Sequence, residues 1–147
     1  MAGSFISVEI TNKFQRKLMD IKYKAGNARP AFNIAGQILT KSVRKNFTSQ
    51  GRPTKWQDLA ESTKKKKKGN KILINRGMAG GLMGSINYQS TNSDVRVGTP
   101  KVYGAIHQFG GKAGRNKKTT IPQREYLLIQ PEDWQSITDA FGRYLTK

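Results

Sequence analysis

His107 is the one histidine of the 147-residue chain, and the chain has no cysteine. Those two counts decide most of the chemistry open to it. A hydrolytic triad built on His107 needs a nucleophile and an orienting carboxylate beside the imidazole, a placement that sequence does not show. A structural or catalytic metal site needs further His or Cys ligands, which do not exist here. Disulfide frameworks, thiolate sites and cysteine nucleophiles are excluded outright. His107 therefore reads as a buried or half-buried residue making structural hydrogen bonds. The glycines at 77, 80, 81 and 84 fit neither the G-x-x-x-x-G-K-[ST] phosphate loop nor a dinucleotide fingerprint, and read as turns and close packing. The expectation is a protein that is not an enzyme and has no cofactor.

Charge is the other chemical signal. Twenty-seven Lys and Arg stand against nine Asp and Glu, a net of +18. A chain so basic is drawn to polyanions, whether nucleic acid, anionic membrane or acidic protein. The candidate contacts are the run Lys64, Lys65, Lys66, Lys67 and Lys68, and the glycine-rich basic stretch holding Lys112, Arg115, Lys117 and Lys118. Like charges packed so closely repel, so residues of about 62–71 read as a flexible, exposed lysine-rich loop. Aromatics are not interleaved with it, so it is no stacking platform for single strands. No apolar run approaches the roughly 20 residues that span a bilayer, and no signal-peptide pattern opens the chain. The expected setting is a cytosol, or a particle assembled there, without a membrane partner.

Several elements must position these residues. At 147 residues a single domain over 1–147 is expected. Residues 5–10 alternate and are β-rich, which predicts a first strand. Phe14, Leu18 and Ile21 fall on one face of a helix capped by Thr11 or Asn12 and stopped near Gly26-Asn27. Pro30 suits a first helical turn. From Ala31 to Phe47 an apolar stripe runs through Ile34, Ala35, Ile38, Leu39 and Val43, with Lys41, Arg44 and Lys45 outside, the best helix of the sequence. Trp56-Gln57-Asp58-Leu59 reads as a short turn or one helical turn, and a short helix near Met78 is set against its glycines. Strands are predicted over 86–90 and 95–98, with a turn over 91–94. Residues 110–118 read as a loop and 126–129 as a β run or packed segment. A last helix opens at Pro131-Glu132-Asp133, its acids favouring the dipole, and buries Trp134, Ile137, Ala140, Phe141 and Leu145. The fold class is α+β: a small antiparallel sheet packed against a long helix, with a C-terminal helix and a basic mobile loop.

Five segments in order resemble the phage virion morphogenesis family, the tail completion or head–tail joining proteins of Mu-like contractile-tailed phages. They are Trp56-Gln57-Asp58-Leu59 with Ser62-Thr63 and a lysine, then Ile72-Leu73 with Gly80-x-Leu82-x-x-Ser85-Ile86, and Val95-x-Val97-Gly98-Thr99. Tyr103-Gly104-Ala105-Ile106-His107-Gln108-Phe109-Gly110-Gly111 is similar to the family's Tyr-Ala-x-Ile-His-Gln-Phe-Gly signature. Ile121-Pro122-x-Arg124-x-Tyr126-Leu127 is similar to its Ile-Pro-Ala-Arg-Pro-Phe-Leu segment. Gly104 stands where alanine is usual, Gln123 and Glu125 replace a small residue and a proline, and the first 50 residues contribute little. The resemblance implies a structural virion protein at the tail or neck, made in the host cytoplasm. It implies a homo-oligomeric ring, sixfold by analogy with the tail, meeting tail tube, tail terminator or connector proteins. Trp56, Leu59, Leu82, Ser85, Tyr103, His107, Gln108, Phe109, Gly110, Pro122 and Arg124 are then assembly or fold motif residues. His107, Gln108 and Phe109 are expected to pin the loop after the strands, Gly110-Gly111 to adopt an uncommon backbone, and Arg124 to pair with an acid within the subunit or across an interface. The alternative is a basic DNA-binding protein acting in phage DNA packaging or regulation.

Overall fold

In the computed structural model, which describes residues 3–8, 27–67, 69–74 and 81–145, the organising element is helix α1, Arg29–Thr48. Pro30 sits in its first turn as expected, and Asn27 Oδ1 accepts the Arg29 amide at 3.1 Å in place of a cap that Ala28 lacks. Phe32, Ala35, Leu39, Val43 and Phe47 recur at helical spacing and are buried. Each large apolar side chain removed from water contributes about 1.5–3 kcal/mol before the entropy of ordering is set against it. The helix closes in a Schellman motif, Gly51 N–H donating to Asn46 O at 2.8 Å and Gln50 N–H to Phe47 O at 3.0 Å. Gln50 itself takes the left-handed position, φ 58°. Its side-chain amide reaches Phe47 O and both backbone polar groups of Ile72, which brings that residue back to the core as expected.

Strands β1 (Ser4–Val8), β2 (Asn87–Ser90) and β3 (Val95–Thr99) form an antiparallel sheet in the order β1-β3-β2. Ser4 faces Thr99 and Val8 faces Val95 on one side, while Asn87 faces Gly98 and Ser90 faces Val95 on the other. Central β3 buries Val95, Val97 and Thr99 and exposes Arg96, the alternation its sequence announced. Helix α1 crosses β2 and β3, and where it meets β2 a glycine is required. A Cβ on Gly36 would stand 2.2 Å from Tyr88 Cδ2.

Glu61–Lys66 is a short helix, α2, and not the expected loop. Lys64 draws it together by pairing with Asp58 at 2.8 Å and Glu61 at 3.1 Å, which relieves part of the repulsion that favoured a loop. Trp56-Gln57-Asp58-Leu59 has no regular structure. A short 3-10 turn, Met83–Ser85, follows the glycine stretch, and helix α3 is Gly104–Phe109. The expected basic loop at 110–118 is instead the start of a small hairpin, β4 (Gly111–Ala113) pairing with β5 (Thr119–Ile121) around a 3-10 turn at Arg115–Lys117. Helix α4, Pro131–Leu145, packs on α1 through Ile137, Ala140 and Phe141, with Phe141 edge-on to Phe32 at 5.3 Å. Trp134, expected on that buried face, is 39% exposed. The helix predicted over 11–26 and residues 75–80 near Met78 lie outside the described residues. The class is α+β, a small antiparallel sheet against a long helix with a C-terminal helix.

Candidate functional site

The sharpest sequence block, 103–111, folds as α3 and the turn that ends it. Gln108 is buried in α3, and its side-chain oxygen accepts the amides of Tyr126 at 3.2 Å and Leu127 at 2.9 Å. Its Nε2 donates to Leu127 O at 3.2 Å. From the other side Asn46 Nδ2 of α1 donates to Tyr126 O at 2.7 Å and Leu128 O at 3.2 Å. Residues 126–129 are therefore a buried packed segment and not a strand: two side-chain amides do for its backbone what a neighbouring strand would. The Tyr126 ring, fully buried, stacks at a tilt on Phe47 and donates its hydroxyl to Gly104 O at 2.8 Å. Burial pushes that phenol up to about 12.

The turn after α3 depends on glycine. Gly110 N–H donates to Ile106 O at 2.8 Å with φ 72°, and a Cβ there would lie 2.9 Å from Gln123 N. Both Gly110 and Gly111 have positive φ, as expected. His107 O accepts the Arg124 amide at 2.8 Å, so the Ile-Pro-x-Arg segment is held against α3. Phe109, expected to pin this loop, is 70% exposed and pins nothing.

Within the chain Arg124 pairs with no described acid. It is buried, and its Nε donates to Gln57 O at 3.0 Å and Nη2 to Asp58 O at 3.1 Å. Trp56 completes the join, its Nε1 donating to Glu125 O at 3.2 Å and its ring meeting Phe47 edge-on at 5.6 Å. The planar guanidinium fork suits two successive carbonyls, a pattern a lysine cannot reproduce. The Asp58 carboxyl is held below its usual range by the Lys64 ammonium and then by the Leu59 amide. Ser85 ties the glycine stretch to the sheet, its hydroxyl donating to Leu82 O at 2.7 Å and meeting Thr99 Oγ1 at 2.6 Å. Leu82 is buried.

His107 sits beside a cleft of about 370 Å³ that Leu59, Tyr103, Pro122 and Arg124 also line. Its Nδ1 is buried and no described residue bonds it. The imidazole is held below the usual histidine range by burial first and by the Arg124 charge second. The structural hydrogen bond expected of His107 is thus made by its backbone carbonyl, not its ring. Among the described residues no carboxylate orients the ring, and no cluster of three or more metal-ligating side chains exists. No described helix is long and apolar enough to cross a membrane.

The candidate polyanion contacts fall into two groups. Lys64, Lys65 and Lys66 are on α2, with Lys64 engaged by two acids; Lys67 Nζ reaches Lys71 O, and Lys68 is outside the described residues. Lys112, Arg115, Lys117 and Lys118 are exposed on the β4–β5 hairpin.

One network gave no signal in the sequence. Asp133 Oδ2 accepts the Ser42 hydroxyl at 2.6 Å and the Gln130 amide at 2.8 Å. Arg52 Nε donates to Asn46 Oδ1 at 2.8 Å, and its Nη2 donates to Ser42 O at 2.9 Å. Asp133, expected to act on the helix dipole, also closes the back half of a capping box and joins α4 to α1.

The phage virion morphogenesis family model matches residues 9–146, so the match reaches well into the first 50 residues, where the motifs had shown little. A curated relative, "Mu-like prophage FluMu G protein 2" of Haemophilus influenzae, is 35% identical over 136 residues, covering 92% of this chain and 88% of the relative. No solved structure matches.

Proposed function

The chain belongs to the phage virion morphogenesis family, and from that premise we propose that it is a subunit that completes the tail or joins it to the head. Its role in virion morphogenesis is structural, and we carry this further to a non-enzymatic ring subunit, sixfold to match the tail, that meets tail tube, terminator or connector proteins. One observation carries the reading. The motif residues Trp56, Gln108, Gly110 and Arg124 are spent on joining α1, the 56–58 strap, α3 and the 124–128 segment. A motif spent on scaffold serves a shape, and shape is what assembly uses. The test is electron microscopy of lysates in which this gene is disrupted. Filled heads beside unjoined or abnormal tails are expected; normal virions would sink the proposal.

A second reading, DNA binding in packaging or regulation, is favoured by the exposed cations of α2 and the hairpin. It predicts duplex affinity that falls steeply with salt, log K dropping by about 0.9 per phosphate neutralised for each decade of salt. Binding indifferent to salt would remove it.

A further inference from the structure

We infer that Val102, Tyr103 and Phe109, together with the cations of the β4–β5 hairpin, form a docking surface for an acidic protein of the particle that offers an apolar socket. The inference rests on the virion reading above and names the chemistry of one partner.

Five large apolar residues are exposed among the described ones, and three of them are Val102 at 65%, Tyr103 at 44% and Phe109 at 70%. Helix α3 turns Gly104 and Gln108 into the core, so these three are left over after the fold has used what it needs. The hairpin begins directly after Phe109 and lies against the same helix, Gly111 facing the Ile106 side chain. Lys112, Arg115, Lys117 and Lys118 are exposed there, and none forms an ion pair with a described carboxylate. Exposed aromatic residues beside an exposed cationic hairpin are the chemistry of a protein-binding hot spot with a rim that selects an acidic partner.

Charge decides which partner. A second copy is a poor one, because every carboxylate of the described residues is already engaged in its own chain. Asp58 and Glu61 hold Lys64, Asp94 holds Arg96, and Glu132 holds Arg52. Asp133 holds Ser42, while Glu125 and Asp139 accept from Gln123 and Gln135. Bringing two chains of +18 together through a basic face adds repulsion, and no described carboxylate is free of a partner to offset it. DNA is a poor one too, since a phosphate backbone would answer the cations and leave Phe109 in water.

The experiment uses the full chain with heads and tails purified from lysates lacking it. Co-sedimentation is measured for wild type, Phe109→Ser and Lys117→Glu/Lys118→Glu. Duplex DNA binding, sedimentation velocity and a thermal melt are run beside it. Wild type is expected to bind one particle class and restore joining. Each variant should bind about tenfold or more weakly, with unchanged melting and oligomeric state, and Phe109→Ser should bind DNA as wild type does. Variants that bind particles as wild type does overturn the docking surface and leave the virion reading standing. Wild type that binds neither heads nor tails overturns both. A Phe109→Ser chain that changes oligomeric state overturns the proposal in favour of a contact between copies, and loss of DNA binding by it does so in favour of nucleic acid.

Discussion

Gly104 and Tyr126 occupy one space. A Cβ on Gly104 would lie 2.7 Å from the Tyr126 hydroxyl and 2.7 Å from Thr99 Cγ2. The family signature has alanine and phenylalanine at these two places, so the methyl there and the hydroxyl here are alternatives for one volume. Gly104→Ala alone should overpack the core and cost about 1–3 kcal/mol. Tyr126→Phe alone removes the hydroxyl's hydrogen bond to Gly104 O, which keeps its helical partner, and should cost about 0.5–1.5 kcal/mol. The double variant removes the hydroxyl that the methyl meets, so it should be more stable than the sum of the singles by about 1–2 kcal/mol. Urea denaturation of the four chains measures this coupling, and strict additivity would show that the two sites do not share space. His107 gives a second prediction. Its pKa is lowered in the fold, so below about 6.5 the unfolded chain binds the proton that the folded chain resists. Stability is then full above that value and falls as pH drops toward the lowered folded pKa. Melts at pH 7.5 and 5.5 should differ less in His107→Gln than in wild type, and an equal difference would mean that other groups carry the acid sensitivity.

Helix α1 against β2 is the contact on which the sheet is seated, and Gly36 sets its distance. Alanine there gains about 1 kcal/mol of helix propensity but drives a methyl into the Tyr88 ring, 2.2–2.7 Å from three of its carbons. Overpacking of about 1–3 kcal/mol should exceed that gain, so Gly36→Ala lowers the denaturation midpoint; a raised midpoint would mean that Tyr88 swings out freely. Elements with strong periodicity were legible in the sequence. The stripe from Ala31 to Phe47, the alternation of 95–99 and the apolar face of α4 each follow from repeated burial. Elements made by a few particular bonds were not. Helix α2 depends on Lys64 finding Asp58 and Glu61, and the hairpin at 111–121 is short, polar and held by its register and positive-φ glycines. Residues 126–129 carried a strand's composition, yet their hydrogen bonds go to Gln108 and Asn46, which no local pattern reveals. Of the motif residues, Trp56, Gln108 and Gly110 make joints between segments distant in the chain. Arg124 found carbonyls because a buried guanidinium needs several acceptors, and the backbone at 57–58 supplies two in line. The Ser42–Asp133–Arg52–Asn46 cluster joins residues up to 91 apart in the chain, beyond what spacing can show.

At the scale of the whole molecule the dominant fact is +18 on 147 residues, with the seven described carboxylates all locally engaged. Salt acts on this in two opposed ways. It weakens surface ion pairs such as Lys64 with Asp58 and Glu61, which contribute about 0–1 kcal/mol each. It also screens repulsion among many unpaired cations, and the screening length falls from about 30 Å at 0.01 M to about 8 Å at 0.15 M. Exposed lysines on α2 and the hairpin belong to the second class and outnumber the pairs, so screening should win. The melting temperature is expected to rise as NaCl increases from 0.01 to 0.15 M (values set for the test), and sedimentation should show larger species over the same range if copies form a ring. Lys65→Gln/Lys66→Gln, which removes two unpaired charges, should raise the low-salt melting point and flatten the salt response. A melting temperature that falls with salt would mean that the ion pairs outweigh the repulsion. The excess charge would then be no barrier to association that an acidic neighbour has to relieve.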